Sequence, residues 1–326
     1  MRVLVSGGAG YIGSVTAERL QAAGHQVSVV DNLSRGHRAA VADGTPFEVL
    51  DVRQREALTG WLRAQRVECV MHFCASSLVG ESMQDPGAYF DNNVGGMIQL
   101  LEAMVAAGVP RMIFSSTAAT YGEPEEVPIP ETAPVRPTNP YGESKAISER
   151  LLEWYRRIHG VRYAALRYFN AAGASAERGE DHDPETHLIP LALRAAAGEM
   201  EALAVFGRDY PTPDGTCIRD YIHVLDLADA HIRALERLDD LDEAVFNLGN
   251  GEGYSVLEVI AAVEAVTERK VPLRDAPRRP GDPARLVASS QRARRVLGWE
   301  PGHARLEQIV ADAWRWKQRH PHGYEA

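Results

Sequence analysis

A doubly wound α/β fold with a parallel sheet is predicted by three features of the 326-residue chain: short apolar runs alternate with helical patterns, a glycine-rich turn follows the first run, and the runs lack strict polar alternation. Continuous apolar strands suit a parallel sheet covered on both faces, and strands alternating with helices imply right-handed crossovers. With 45% hydrophobic and 25% charged residues, the chain can bury a sizeable core.

The first strand is Arg2 to Ser6, and it enters Gly7-Gly8-Ala9-Gly10-Tyr11-Ile12-Gly13. A helix follows, with Gly24 placed as its C-terminal stop. Gln26 to Val30 is a second strand ending at Asp31, and Val49 to Val52 is a candidate third. Glu68 to Phe73 and Arg111 to Ser116 are the fourth and fifth, and Gly96 to Ala107 and Tyr141 to His159 read as helices. Beyond about residue 170 the pattern becomes irregular. Ala171 to Pro190, Tyr210 to Gly215 and Ala276 to Pro283 read as long loops of the kind that form lids or binding edges. The organisation expected is a Rossmann-like dinucleotide-binding domain over 1–170, with part of 219–250 returning to it, and a smaller C-terminal α/β substrate-binding domain over 171–326.

Bulk properties exclude several classes. The net charge of −10 repels nucleic acid and anionic membranes, so a bound phosphate must be held by local groups. No apolar run approaches the ~20 residues that cross a bilayer, and Met1 leads directly into a strand, so neither a span nor a leader is expected. The three cysteines, Cys69, Cys74 and Cys217, form no Cys-x-x-Cys pair; free thiols, no metal site and a cytoplasmic location are expected.

Gly7, Gly10 and Gly13 lie between a strand and a helix, where glycines permit a tight turn and close approach of backbone to a pyrophosphate seated at the helix N-terminus. Asp31 ends the second strand, 18 positions after Gly13. A carboxylate there accepts hydrogen bonds from the adenosine ribose and repels a 2′-phosphate, which selects NAD over NADP.

Tyr141 and Lys145 stand at i and i+4, on one face of a helix. A tyrosine of ordinary pKa, about 10, is a poor base at neutral pH, and a nearby ammonium together with the positive nicotinamide ring favours its phenolate. Basic residues total 35, yet lysine occurs only at 145, 270 and 317, so a lysine at 145 signals a need for a compact ammonium. Ser115-Ser116-Thr117 ends the fifth strand, and Thr117 is placed to hydrogen-bond a sugar hydroxyl and help pass its proton to Tyr141.

With these residues in place, the chain resembles the extended short-chain dehydrogenase/reductases, and within them the branch of UDP-glucose 4-epimerases. The matching stretches are 7–13, Asp31-Asn32-Leu33, Val79-Gly80-Glu81-Ser82, Asp91-Asn92-Asn93-Val94, Arg167-Tyr168-Phe169-Asn170 and Arg219-Asp220-Tyr221-Ile222-His223-Val224, and the likeness runs on to Tyr324. The resemblance implies inversion at carbon 4 of a UDP-hexose through a transient 4-keto sugar, with tightly held NAD as hydride carrier. It implies cofactor contacts from Gly7, Gly10, Tyr11, Ile12, Gly13, Asp31, Asn32, Asp51, Val52, Phe73, Asn92, Ser115, Tyr141, Lys145 and Tyr168. Substrate contacts are implied for Thr117, Tyr141, Asn170, His187, Leu188, Phe206, Arg219, Arg279, Asp282 and Leu286, with Tyr141, Lys145 and Thr117 catalytic. The two arginines fit this reading, because a diphosphate on an acidic protein needs local bidentate cations.

The chain departs from some relatives at Ser77 (lysine elsewhere), Thr117 (serine) and His187 (asparagine), and Leu286 stands where side-chain size limits the space around carbon 2. A 4-epimerase of UDP-N-acetylglucosamine, UDP-glucuronate or UDP-xylose is the alternative. A nucleotide-sugar 4,6-dehydratase would need an Asp-Glu pair directly after the active-site threonine, and Ala118-Ala119 stand there. The resemblance also implies a homodimer joined by the helices around 96–107 and 141–159, whose apolar positions include Leu100, Leu101, Met104, Ile147, Leu151 and Trp154.

Overall fold

A computed structural model describes residues 1–279 and 282–324. Strands β1 (Arg2–Ser6), β2 (Gln26–Asp31), β3 (Phe47–Val49), β4 (Cys69–His72), β5 (Arg111–Thr117) and β6 (Arg162–Tyr168) form a parallel sheet. The chain then makes three strands of the second half, β7 (Asn170–Ala172), β8 (Leu203–Phe206) and β9 (Ile218–His223), before β10 (Val245–Leu248) returns to pair with β6. The seven-stranded order is β10-β6-β5-β4-β1-β2-β3. Its direction of winding reverses between β1 and β4, and a crevice opens beyond the carboxyl ends of strands at such a reversal.

The helices are α1 (Tyr11–Ala22), α2 (Arg55–Ala64), the short α3 (Val79–Ser82) and α4 (Pro86–Tyr89), α5 (Gly96–Ala107), α6 (Pro140–His159), α7 (Leu188–Ala196), α8 (Val224–Arg237), α9 (Val256–Thr267) and α10 (Leu306–Arg319). Successive residues of a strand point to opposite faces. Val3 and Val5 of β1 therefore join one core with Leu20 of α1 and Leu227 and Leu235 of α8, while Leu4 joins another with Leu58 and Leu62 of α2, Met97 and Leu101 of α5 and Leu152 of α6. Both faces of the sheet are covered, which is why its strands carry no polar alternation.

The second half packs around a separate core of α7, α9 and α10, with Ile189, Val263 and Ile309 fully enclosed. Here β11 (Gly253–Ser255) pairs antiparallel with β9, β13 (Arg285–Leu286) and β7 pair parallel with β9, and β12 (Leu273–Ala276) pairs with β8. Among the described residues no helix is long and apolar enough to cross a membrane.

Several element boundaries differ from expectation: the loop expected over 171–190 is shortened at one end by β7 (Asn170–Ala172) and at the other by α7 (Leu188–Ala196). The third strand is Phe47–Val49, earlier than the apolar run 49–52 suggested. Leu50 and Val52 are apolar because they turn down into the core beside α2 and α5, not because they belong to the strand. Ala276, expected to open a loop, closes β12; Pro280 and Gly281 of that expected loop lie outside the described residues.

Candidate functional site

The glycine loop joins β1 to α1 at the reversal point. Gly7 has φ +79° and donates to Val30 O at 2.9 Å. A Cβ on Gly7 would lie 2.7 Å from the backbone nitrogen of Cys74, and one on Gly13 would lie 2.1 Å from Gly7 O. Neither position admits a side chain. The N-cap of α1, Gly10, offers no side-chain acceptor, so the first-turn N–H groups stay available to an anion. This cradle fits a dinucleotide pyrophosphate. The side chain of Tyr11 points elsewhere, its hydroxyl donating to Gly173 O at 2.6 Å, and Ile12 packs against the core.

Asp31 is buried at the end of β2 and accepts backbone N–H groups of Ala9 (3.0 Å) and Leu33 (2.8 Å). Its carboxylate therefore also shapes the glycine loop, and each oxygen keeps a lone pair for a further donor. Burial outweighs these two bonds and raises its pKa. Asn32 donates to Asp51, whose carboxyl is held at about 2 chiefly by Arg53. The Phe73 ring lies 4.9 Å from that of His231, and Asn92 reaches Ser76 Oγ at 3.3 Å. Val52 is committed to the core.

Helix α6 begins at Pro140, with the side chain of Asn139 accepting from Gly142 N at 2.8 Å. Proline is tolerated in a first turn, where its missing N–H would be an orphan anyway. The cap sets where the helix starts and so which face carries Tyr141 and Lys145. Lys145 is buried, and its Nζ donates to Ser115 O at 2.8 Å. Ser115 Oγ shares a hydrogen bond with the hydroxyl of Tyr168. Burial pulls the Lys145 ammonium down to about 8. Thr117 ends β5 and accepts from Ala119 N at 3.1 Å, and its side chain lies beside the Tyr141 phenol.

Burial raises the Tyr141 phenol, and the Thr117 hydrogen bond pulls the other way. Sequence reasoning assigned that pull to Lys145. In the fold the Lys145 ammonium donates to Ser115 O, on the strand that ends at Thr117, so its charge sits beneath the same strand end.

On the substrate side, Arg219 in β9 donates to Asp282 and to Ile218 O, and β13 pairs Leu286 with Arg219. Leu286 packs with Ala118, Tyr121 and Phe169, which links it to the end of β5. Leu286 is thus a strand residue, just beyond the expected loop 276–283. The Arg279 guanidinium lies over the Phe206 ring at 4.1 Å, and Asn170 donates to Asp220 O at 3.0 Å. Leu188 opens α7, immediately after His187, whose Nδ1 is engaged by Glu180 and Glu185. A cavity of about 290 Å³ between residues 172–194 and α10 is lined by none of the predicted site residues.

Sequence reasoning missed a buried network beneath the Tyr141–Thr117 pair. Glu149 on α6 accepts from Ser116 Oγ and from both Nε and Nη2 of Arg167, and Arg167 Nη1 donates to Tyr121 OH at 2.9 Å. The signal was present: Glu149 follows Lys145 by one helical turn, on the same face.

The model of the NAD dependent epimerase/dehydratase family matches residues 3–249. The UDP-glucose 4-epimerase of Lacticaseibacillus casei is 50% identical over 327 residues, covering 99% of each chain. A solved UDP-glucose 4-epimerase structure superposes with a TM-score of 0.97 at 50% identity over the whole of both chains. The Brucella ovis UDP-glucose 4-epimerase, solved in complex with NAD, gives 0.93 at 46% identity, covering 96% of this chain and 97% of that one. The Bifidobacterium longum UDP-glucose 4-epimerase, in complex with NAD+ and UDP, gives 0.93 at 37% identity, covering 99% and 100%.

Proposed function

This chain belongs to the NAD dependent epimerase/dehydratase family, and we propose that its Tyr141–Thr117–Lys145 constellation inverts carbon 4 of a UDP-hexose, interconverting UDP-glucose and UDP-galactose. The reaction is an isomerisation and depends on NAD. The observation that carries the residue assignment is the meeting of Thr117, at the carboxyl end of β5, with α6, where Tyr141 stands one helical turn before Lys145 and the buried Lys145 ammonium donates to Ser115 O of the same strand.

NAD, when bound, would supply the acceptor and donor for a hydride at carbon 4. Tyr141 receives the proton of the 4-hydroxyl, relayed through Thr117, and gives it back after the sugar has turned over. Lys145 and Tyr168, joined through Ser115, present donors toward the cofactor side of the same strand end. Gly7, Gly10 and Gly13 would admit the pyrophosphate of NAD, and Asp31 would accept from its adenosine ribose. Arg219 and Arg279 neutralise the substrate diphosphate, with Asp282 orienting Arg219. Strong contacts on the nucleotide and loose contacts on the hexose let the 4-keto sugar rotate without escaping.

Incubating the protein with UDP-galactose and following UDP-glucose tests this reading. Conversion without net consumption of nicotinamide is expected. Elimination of water, or stoichiometric reduction of added NAD, would overturn it. Ala118-Ala119, following Thr117 in the 118–121 turn, supply no acid for elimination.

The finer partners are part of the same proposal. Leu100, Leu101 and Met104 are fully buried within the protomer, so they do not form a dimer face. Trp154 and Ile158 of α6 are 58% and 66% exposed, and Ile98 and Val105 of α5 are also exposed. Large apolar side chains in water on two neighbouring helices support a homodimer through α5 and α6. The three cysteines are free, in keeping with a cytoplasmic location.

A further inference from the structure

The loop between β7 and α7 gathers Glu180, His182, Glu185 and His187, and one side-chain atom from each lies within 4.8 Å of the other three. His187 Nδ1 is 2.8 Å from Glu180 Oε1 and 2.8 Å from Glu185 Oε1, and His182 Nδ1 is 3.2 Å from Glu180 Oε1. We propose that these four side chains form a zinc-type divalent cation site, which supplies no chemistry to the reaction at Tyr141 and would hold His187, one of the expected sugar contacts, in place.

Three features favour a cation over a simple hydrogen-bonded knot. The first is charge. The Glu180 and Glu185 side chains are only 6% and 4% exposed, yet their oxygens converge on one imidazole nitrogen. Two carboxylates withdrawn from water and aimed at one point repel unless a positive charge stands between them. A proton on His187 supplies one such charge, and a divalent ion supplies two.

The second is the donor set. Two imidazole nitrogens and two carboxylate oxygens suit zinc and its neighbours and do not suit the all-oxygen preference of calcium or magnesium. With bonds of about 2.0–2.2 Å, the edges of a tetrahedron are about 3.4 Å. The contacts of 2.8, 2.8 and 3.2 Å would open by a few tenths of an ångström, and the longer separations, up to 4.8 Å, would close as the side chains turn onto the ion. The third is spacing: His182 and His187 are separated by four residues, inside the three-to-five range of paired histidine ligands, with Glu185 between them.

Binding displaces one proton from His187 Nδ1 to water and leaves Nε2 as the N–H of a fixed tautomer. The ion would lock a loop that is already a junction. Asp181 accepts from Tyr324 N at 2.8 Å, Gly179 N donates to Tyr324 OH at 3.1 Å, and Gly173 O receives the hydroxyl of Tyr11 from the glycine-loop helix. The ion's role is therefore structural, holding the approach to His187 and Leu188.

The test uses the full-length protein after treatment with a chelator. Isothermal titration with Zn²⁺ should show one ion per chain, with a melting temperature that rises with free Zn²⁺. Co²⁺ should give the visible bands of a tetrahedral nitrogen–oxygen site. His182→Ala changes a part-exposed side chain outside the proposed sugar and cofactor contacts, and it should weaken Zn²⁺ binding roughly 100-fold or more, since losing even an outer partner costs 10–100-fold. Glu180→Gln should act likewise. If His182→Ala binds Zn²⁺ as tightly as the wild type, or the wild type takes up no stoichiometric ion, the site does not exist. Titration is read without substrate, so its failure leaves the role of His187 toward the sugar to be judged separately by KM.

Discussion

Replacing Lys145 by methionine should leave the fold as stable as before, or more stable, while abolishing most turnover. The reason lies in what burial does to the ammonium. Its pKa falls from 10.5 to about 8, and at 1.36 kcal/mol per pH unit the buried charge costs about 3 kcal/mol at neutral pH. Methionine has a similar length, carries no charge and retains contact with the Phe114 ring, above which Nζ now lies at 4.8 Å. Against the relief stands one lost hydrogen bond to Ser115 O, worth roughly 1–3 kcal/mol when its acceptor is left buried. The net change is about zero or favourable. Turnover, in contrast, should fall by about 10²–10⁴, the range for a group that sustains proton transfer.

The linkage has a definite sign. The folded pKa is depressed, so the cost of the charge is fully present below about pH 8 and is relieved as pH rises from 8 toward 10.5. The stability advantage of Lys145→Met over wild type should accordingly be largest below pH 8 and shrink above it. Urea denaturation from pH 6 to 10, beside conversion of UDP-galactose to UDP-glucose, measures both quantities. A variant that turns over near the wild-type rate, or one that is several kcal/mol less stable at pH 7, would refute the assignment of Lys145 to function.

Other outcomes are equally specific. Asp31→Ala removes the acceptor of Ala9 N and Leu33 N as well as the ribose contact, so the NAD released by denaturing purified protein should fall at least about tenfold; release of NADP alone from the wild type contradicts the role given to Asp31. Leu286→Gly opens space beside Ala118 and Phe169, and it should raise the ratio of specificity constants for UDP-N-acetylglucosamine over UDP-glucose by roughly tenfold, at about 2–4 kcal/mol of stability. Because the ratio is taken within one protein, general destabilisation cancels, and an unchanged ratio removes Leu286 from the specificity pocket. Light scattering at micromolar concentration should give the mass of a dimer for the wild type and of a monomer for Trp154→Glu; a wild-type monomer ends the assignment of α5 and α6 as an interface.

What the sequence determined by itself was whatever is encoded locally. The β1–glycine loop–α1 unit was legible because sterics within a few residues dictate it: Gly7 needs a positive φ, and Gly13 has no room for a Cβ against Gly7 O. The pairing of Tyr141 with Lys145 was legible because four residues are one helical turn. The two-sided cores were legible in strands such as 111–117, where Met112, Ile113 and Phe114 follow one another without polar alternation.

Only the tertiary structure decided how distant segments meet, because those contacts follow from strand order and from which face a side chain takes. The sequence pattern of Leu50 and Val52 could not tell a strand from a buried turn, since both bury alternate residues. The direction of the Lys145 ammonium was set by the packing of α6 against β5, which delivers Nζ to Ser115 O. Leu286 became a strand residue through pairing with β9, some 67 residues earlier in the chain, and Glu149 met Arg167 only because α6 lies across β5 and β6. Electrostatics followed the same division. Residue types told which groups could carry charge, but the cost of burying Lys145 and the convergence of Glu180 and Glu185 on His187 depend on how much water the fold removes around each one, a property of neighbours far away in the chain.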